Sequence, residues 1–359
     1  MRRRVNIRFA RRQAVLIAFA CIIVPVFLVG CTSIGSTTIA PDRFNYSAAI
    51  SESWKEQMLL NVVKLRYADA PIFLDVASVI NQYTLEGSAT VRAGSGLLAP
   101  VTARGTYIDK PTITYMPLSG KKFLTSLMTP IPPTAILHLI QSGWQANYIL
   151  ELTVQAMNGV RNTSAGVESL RLADPEFVRL LELVASIQRS GAMGVSVSPE
   201  GKGEVLRVMF ADRLDPKIRL DLEEFKQILG LNAAVNEYKV IFGVHPEGGE
   251  EIAMLSRSIL MILELVGAWI SVPEEHVEKG VVPGNEFFDR DQPPRLVHIR
   301  SGTEPPGDVY TAVRFKDYWF WIDATDYRSK RVFSFLMSLM TLTEKGEDRK
   351  APVLTLPTG

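Results

Sequence analysis

Cysteine occurs twice, at Cys21 and Cys31, and histidine four times, at His138, His245, His276 and His298, in a chain of 359 residues. Both cysteines precede residue 32, so the body of the chain has no thiol for a disulfide, a thiolate metal site or a cysteine nucleophile. No two histidines stand at metal-ligand spacing. No phosphate-cradling loop occurs, since Ser119-Gly120-Lys121-Lys122 is too short for a Walker A loop, and Gly94-Ser95-Gly96 lacks the strand-turn-helix setting of a nucleophile elbow and a nearby histidine as base. No cofactor is expected. Nor does any apolar run reach the roughly 18–20 residues of a spanning helix. The run from Ala14 to Val29 has sixteen and contains Pro25. Six of the 39 basic residues and none of the 38 acidic ones lie in the first 30, so the remainder carries a formal charge of −5. Such a body has no basic excess to offer nucleic acid, which is not expected as a partner.

The first thirty residues have a secretory layout, with six arginines by Arg12 and then the apolar run. The stretch "LVGCTSIGS" follows. Its tetrad Leu28-Val29-Gly30-Cys31 resembles the lipobox of bacterial lipoproteins. The resemblance implies cleavage after Gly30 and a diacylglyceryl group on the Cys31 sulfur. Two or more acyl chains hold a protein firmly to a bilayer, at about 0.8 kcal/mol per buried CH₂. Thr32, where an aspartate would retain the protein at the inner membrane, implies an outer-membrane anchor facing the periplasm. In a host with one membrane, the anchor would lie there.

Thr32 to Pro41 is small and polar and reads as a tether, within a lipidated segment 31–43. Ile50, Trp54, Met58, Val62 and Leu65 recur at helical spacing and predict a helix that ends before Pro71. Beyond it the period becomes two. Leu85, Gly87, Ala89 and Val91 alternate with polar residues, and Val101, Ala103, Gly105 and Tyr107 do the same on the way back. The connection Gly94-Ser95-Gly96-Leu97-Leu98-Ala99-Pro100 completes a long hairpin with an oily tip. Residues 119–142 predict two short helices split at Thr129–Pro133.

A regular series follows: strand 148–157, helix 175–189, strands 192–198 and 204–210, helix 216–229, strand 237–243. Asp-Pro opens both helices and Gly191 and Gly230 follow them, as N- and C-terminal capping rules expect. This βαββαβ order predicts an α+β fold with a ferredoxin-like central region, 148–245. An N-terminal helix, the hairpin and short helices precede it, 44–147, and an α/β extension packs on it, 246–343. That extension comprises a buried helix 250–269, strands 295–300, 309–315 and 318–323, and a helix 326–342. Residues 344–359 form a tail.

"LLNVVKLRYADAP", "PLSGKKFLTSLMTPIPP" and "DYWFWIDATDYRSKRVFSFLMSLMTL" resemble segments of uncharacterised envelope lipoproteins of Gram-negative bacteria. The likeness spans most of the chain after Cys31. It implies an envelope setting and brings no activity or catalytic residue.

Two other clusters carry possible chemistry. Glu274-Glu275-His276 with Glu278 is the densest run of metal-ligating types, and it reads as a solvated charged loop. In Tyr318-Trp319-Phe320-Trp321, Trp319 and Trp321 share one sheet face; core packing is the first expectation and a glycan-stacking platform the alternative. The sequence therefore predicts a lipid-anchored protein with a structural or interaction role in envelope assembly or export, engaging an envelope partner or further copies of itself. In the alternative, Leu85, Val91, Leu97, Leu98, Val101 and Tyr107 belong to one hairpin of an oligomeric outer-membrane pore. A third possibility is a glycan-binding module or hydrolase.

Overall fold

The computed structural model describes residues 34–80, 83–91, 101–109, 112–118, 121–165, 170–200, 203–284 and 296–343. It divides into two units, residues 1–53 and 54–359. Helix α1, Ile34–Arg66, crosses that division. It takes in residues 34–41, which the sequence predicts as tether. Extending a formed helix fixes one residue per hydrogen bond and needs no new nucleus, so low propensity alone does not stop it. In the second unit, Met58, Leu59, Val62 and Val63 are buried on one face of α1.

Strands β1 (Phe73–Ile80), β2 (Tyr83–Val91), β3 (Val101–Asp109) and β4 (Thr112–Leu118) come next. Helices α2 (Lys121–Met128) and α3 (Pro133–Gln141) flank the proline-rich break, with Pro133 in the first turn where its missing N–H costs nothing. Residues 148–157 are not one strand. Helix α4, Ala146–Thr153, occupies the first part, burying Ile149, Leu150 and Leu152, and only Val154–Met157 is extended, as β5. Short strands β6 (Val160–Arg161), β7 (Ser164–Ala165) and β8 (Leu170–Arg171) lead to α5 (Pro175–Arg189), β9 (Met193–Glu200), β10 (Gly203–Phe210), α6 (Pro216–Ile228) and β11 (Glu237–Phe242).

The expected helix 250–269 is a strand followed by a shorter helix: β12, Glu251–Ser256, and α7, Ile259–Ala268. Ser258 makes the break, its hydroxyl accepting from the Met261 N–H at 3.3 Å as an N-cap. Then come α8 (Glu274–Glu278), β13 (Arg300–Gly302), β14 (Val309–Phe315), β15 (Tyr318–Asp323) and α9 (Tyr327–Thr343). Lys316 and Asp317, both at positive φ, make the tight turn between β14 and β15.

The fold is α+β. Its main sheet has six strands in the order β6-β5-β12-β11-β10-β9. The element order βαββαβ is there, in β5, α5, β9, β10, α6 and β11. The strand neighbours differ from those of a ferredoxin-like sheet: the last strand, β11, and not the first, pairs with β10, and β12 lies between β11 and β5, parallel to the one and antiparallel to the other. That parallel step needs no crossover helix. The pairing starts at Lys239↔Glu251, so residues 243–250 return the chain over only a few residues of strand. Phe177, Leu180, Leu183, Leu222 and Phe225 from α5 and α6 are buried with Leu206, Val208, Tyr238 and Ile252 from the sheet in one core.

Both Asp-Pro starts are real, with different chemistry. The Asp215 carboxylate accepts from the Lys217 N–H at 2.9 Å and caps α6. Asp174 instead accepts from the Arg161 N–H at 2.7 Å and pairs with Arg171, tying α5 to β6 and β8. Asp215→Ala is therefore expected to destabilise the fold by about 1 kcal/mol, read from the urea midpoint. A shift below a few tenths would mean that the cap contributes nothing.

Candidate functional site

The expected hairpin is the outer part of a longer ribbon. β2 and β3 pair antiparallel from Tyr83↔Asp109 to Val91↔Val101, and β1 and β4 pair from Phe73↔Leu118 to Ile80↔Thr112. From Ile80 to Tyr83 and from Thr112 to Asp109 the chain moves three positions on each strand, so the two ladders keep one register. Like faces like in the outer ladder: Gly87↔Gly105, Ala89↔Ala103, Thr90↔Thr102 and Val91↔Val101. Pleating puts the odd-numbered pairs, Leu85↔Tyr107, Gly87↔Gly105, Ala89↔Ala103 and Val91↔Val101, on one face. Thr84↔Ile108, Glu86↔Thr106, Ser88↔Arg104 and Thr90↔Thr102 fall on the other. Glu86, Arg104 and Thr106 are exposed.

The inner ladder has the same sidedness, which the sequence did not disclose. Leu74↔Pro117, Val76↔Tyr115 and Val79↔Ile113 share a face, because the register shift between Val76 and Ser78 inserts one extra residue and returns Val79 to the side of Val76. Leu74 is 40% exposed, Ile113 41% and Tyr115 54%. The opposite side is rooted in the body, with Phe73 buried and edge-on to Phe123 at 5.7 Å. Two amide side chains of α1 grip the base of the ribbon. Asn61 donates to the Ile72 carbonyl and accepts from its N–H, both at 2.8 Å, and Gln57 does the same at Leu74, at 3.0 and 2.7 Å.

Among the described residues each ladder is a two-stranded sheet, so the outer edges of β2 and β3 carry no partner strand. Two strands alone are marginally stable in water. Open edges are templates for further strands. The nine residues of β2 and of β3 span about 30 Å, close to the thickness of a bilayer's hydrocarbon core. Leu97 and Leu98 at the tip, and Leu28, Val29, Gly30 and Cys31, lie outside the described residues.

The other clusters are satisfied internally. His276 is buried, with its Nδ1 at 2.7 Å from the Tyr67 hydroxyl. Burial pushes the Tyr67 hydroxyl up to about 12, so it keeps its proton. Tyr318 donates to Glu275 at 2.8 Å, and Glu275 pairs with Lys279; both contacts hold its carboxyl below the usual range. Among the described residues no group of three metal-ligating side chains could hold an ion. Phe320 and Ile322 lie in the core. On the other face of β15, Trp321 is 9% exposed and donates its indole N–H to Asp323 at 3.0 Å, while Trp319 is half-buried. Asp323 also pairs with Arg300, and Asp326 accepts from the backbone and hydroxyl of Ser329 at the start of α9.

Two buried cations escaped the sequence reading. Lys226 donates to the Ala233 and Val235 carbonyls and to Asn236, so burial lowers its pKa while all three ammonium protons are placed. Arg257, 2% exposed, donates to the carbonyls of Glu151 and Leu152 at 2.8 and 2.7 Å and to that of Thr163. It thereby closes the C-terminal end of α4, where a positive charge is favoured. Burial pulls its guanidinium down to about 10, partly opposed by Glu151.

No protein-family model, curated protein or solved structure matches the chain. No helix among the described residues is long and apolar enough to cross a membrane.

Proposed function

We propose that the chain is a lipid-anchored envelope protein that works through its β-ribbon, adding strands to an envelope partner or to further copies of itself. One observation supports this reading: among the described residues the outer ladder β2-β3 has both edges open, and the inner ladder β1-β4 leaves Leu74, Ile113 and Tyr115 exposed on one face. Main-chain pairing at such an edge supplies affinity, and the alternate side chains supply choice of partner. No catalytic constellation competes with it among the described residues.

The length of the outer ladder favours a second, narrower form of the same reading. Nine-residue strands with one apolar and one polar face fit a barrel wall. A lone ribbon would leave backbone groups unpaired in lipid, so several copies would have to close the ring together. Glu86 and Arg104 would then face the wet interior. A closed multimer in mild detergent that conducts ions in a planar bilayer would support this form. A multimer without conductance would leave the ribbon an assembly element.

The anchor is tested separately. Cys31→Ser is expected to abolish incorporation of labelled palmitate and to shift the protein from the membrane pellet to the soluble fraction or to an unprocessed precursor. Continued acyl labelling of the variant would overturn the lipobox assignment.

A further inference from the structure

The root of the ribbon is covered on one side only. Phe73 is buried and its ring stands edge-on to that of Phe123, so α2 lies against that face of β1. Leu127, one turn beyond Phe123, is buried on the same side of the helix. Pleating turns Ile72, Leu74 and Val76 to the opposite face, where Leu74↔Pro117 and Val76↔Tyr115 stand side by side. Ile72 is 57% exposed there, with Leu74, Ile113 and Tyr115 exposed as well. None of these side chains carries a charge. Single exposed apolar residues need no explanation, whereas several on one face mark an interaction surface. A sheet face of this kind is stable when a second layer, such as a helix, covers it.

The same chain exposes a helix stripe that matches. Leu124 is 55% and Met128 63% exposed, one turn apart along α2 and beside its buried face. Within one chain this stripe cannot reach the bare face, because the strands lie between them. In a second copy it can. Exposed Lys121 continues the stripe, and Asp69 is exposed in the turn that leads to Ile72, so the two surfaces end in opposite charges. A bilayer suits the bare face less well. No basic residue stands among its described side chains to meet headgroups. In the barrel form, moreover, the outer ladder alone takes up the hydrocarbon thickness and leaves this face outside it.

We propose that the α2 stripe of one copy docks on the bare ribbon-root face of the next, so that each root is covered by a helix on both sides. The two surfaces differ, which makes the contact heterologous: every copy gives its stripe to one neighbour and its face to another. Repetition of such a contact closes a ring or runs on as a filament. A few side chains on each partner bury far less than the roughly 1,200–2,000 Å² of a stable interface. The contact therefore orients copies that the outer ladder holds together. It rests on the self-assembly form of the ribbon reading.

Disulfide trapping tests the docking, because the chain beyond residue 31 has no cysteine of its own. Full-length chains with different tags, one Leu124→Cys and one Tyr115→Cys, are co-expressed and oxidised with copper phenanthroline in their own membrane. Met128→Cys with Ile113→Cys forms a second pair, and Leu220→Cys, on the exposed side of α6, replaces the stripe cysteine as the control. At least one pair should give a mixed dimer carrying both tags, about tenfold more abundant than the control, and adding Met128→Glu to the Leu124→Cys chain should remove about that factor. Neither pair exceeding the control, as when lipid or a foreign protein covers the face, would overturn the proposal. So would Tyr115→Cys chains coupling to each other as well as to Leu124→Cys, which means face against face. The size of the full-length protein in mild detergent separates the two readings: several copies without mixed dimers overturn the docking and leave self-assembly standing, and a single copy overturns both.

Discussion

A chain in which an Asn-Gly turn replaces residues 84–108 is expected to keep its fold and lose its high-mass form in mild detergent. Tyr83 and Asp109 face each other in the ladder, so a two-residue turn between them restores an allowed hairpin. The inner ladder, gripped by Asn61 and Gln57, keeps its root on the body. What disappears is the outer ladder, with its two open edges and the run of like-with-like pairs. On the proposed reading, the full-length protein, extracted in mild detergent, should migrate as a complex of several copies, and the shortened one as a single copy with an unchanged urea midpoint. Retention of the complex by the shortened protein would place the contacts elsewhere. A single-copy full-length protein would retire the barrel and leave a different envelope protein as the ribbon's partner.

Arg257→Met should be the most destabilising single change in the body, at about 3–5 kcal/mol, out of the roughly 5–15 kcal/mol that typically separates folded from unfolded domains. Methionine fills much of the volume and supplies no donor. The carbonyls of Glu151, Leu152 and Thr163 would be left without the guanidinium, each stranded buried group costing about 1–3 kcal/mol. Relief from burying the charge offsets part of that loss. Arg257→Lys should fall between, since an ammonium can serve some but not all three acceptors at their present spacing. The test is the urea midpoint at constant slope. A methionine variant within 1 kcal/mol of the wild type would mean that water replaces the guanidinium at the helix end.

These two residues groups differ in how far the sequence discloses them. The outer ladder was legible because apolar and small residues alternate with polar ones along both strands until Ile108 breaks the rule, and glycine punctuates the connection between them. Helices 175–189 and 216–228 were legible because Asp-Pro and glycine bracket them, and Gly191 and Gly230 do adopt positive φ. The inner ladder was hidden by its bulge. One extra residue near Val76 breaks the period of two, and Pro117 reads as a breaker although an edge position tolerates it. β12 was hidden because Ile252-Ala253-Met254-Leu255 is a short apolar run that periodicity cannot distinguish from the start of the helix beyond it. α4 was hidden for the opposite reason: its tyrosine, isoleucine and threonine favour a strand, and burial of Ile149, Leu150 and Leu152 against the core decides for helix. The Arg331 guanidinium and the Tyr148 ring it covers, 4.8 Å apart, meet only in three dimensions, from segments of chain nearly two hundred positions apart. No local pattern announces such a meeting.

The closure of α4 by Arg257 also orders events in time. The carbonyl of Leu152 receives its guanidinium from a residue 105 positions further along the chain. Contacts of such separation must await synthesis and pay a large loop-closure entropy before they form. Until residue 257 is available, α4 has an open end and β5 lacks β12 as its neighbour, so neither edge of this region can be finished. The sheet and the helix end of this region are thus both completed by one segment from the second half of the chain.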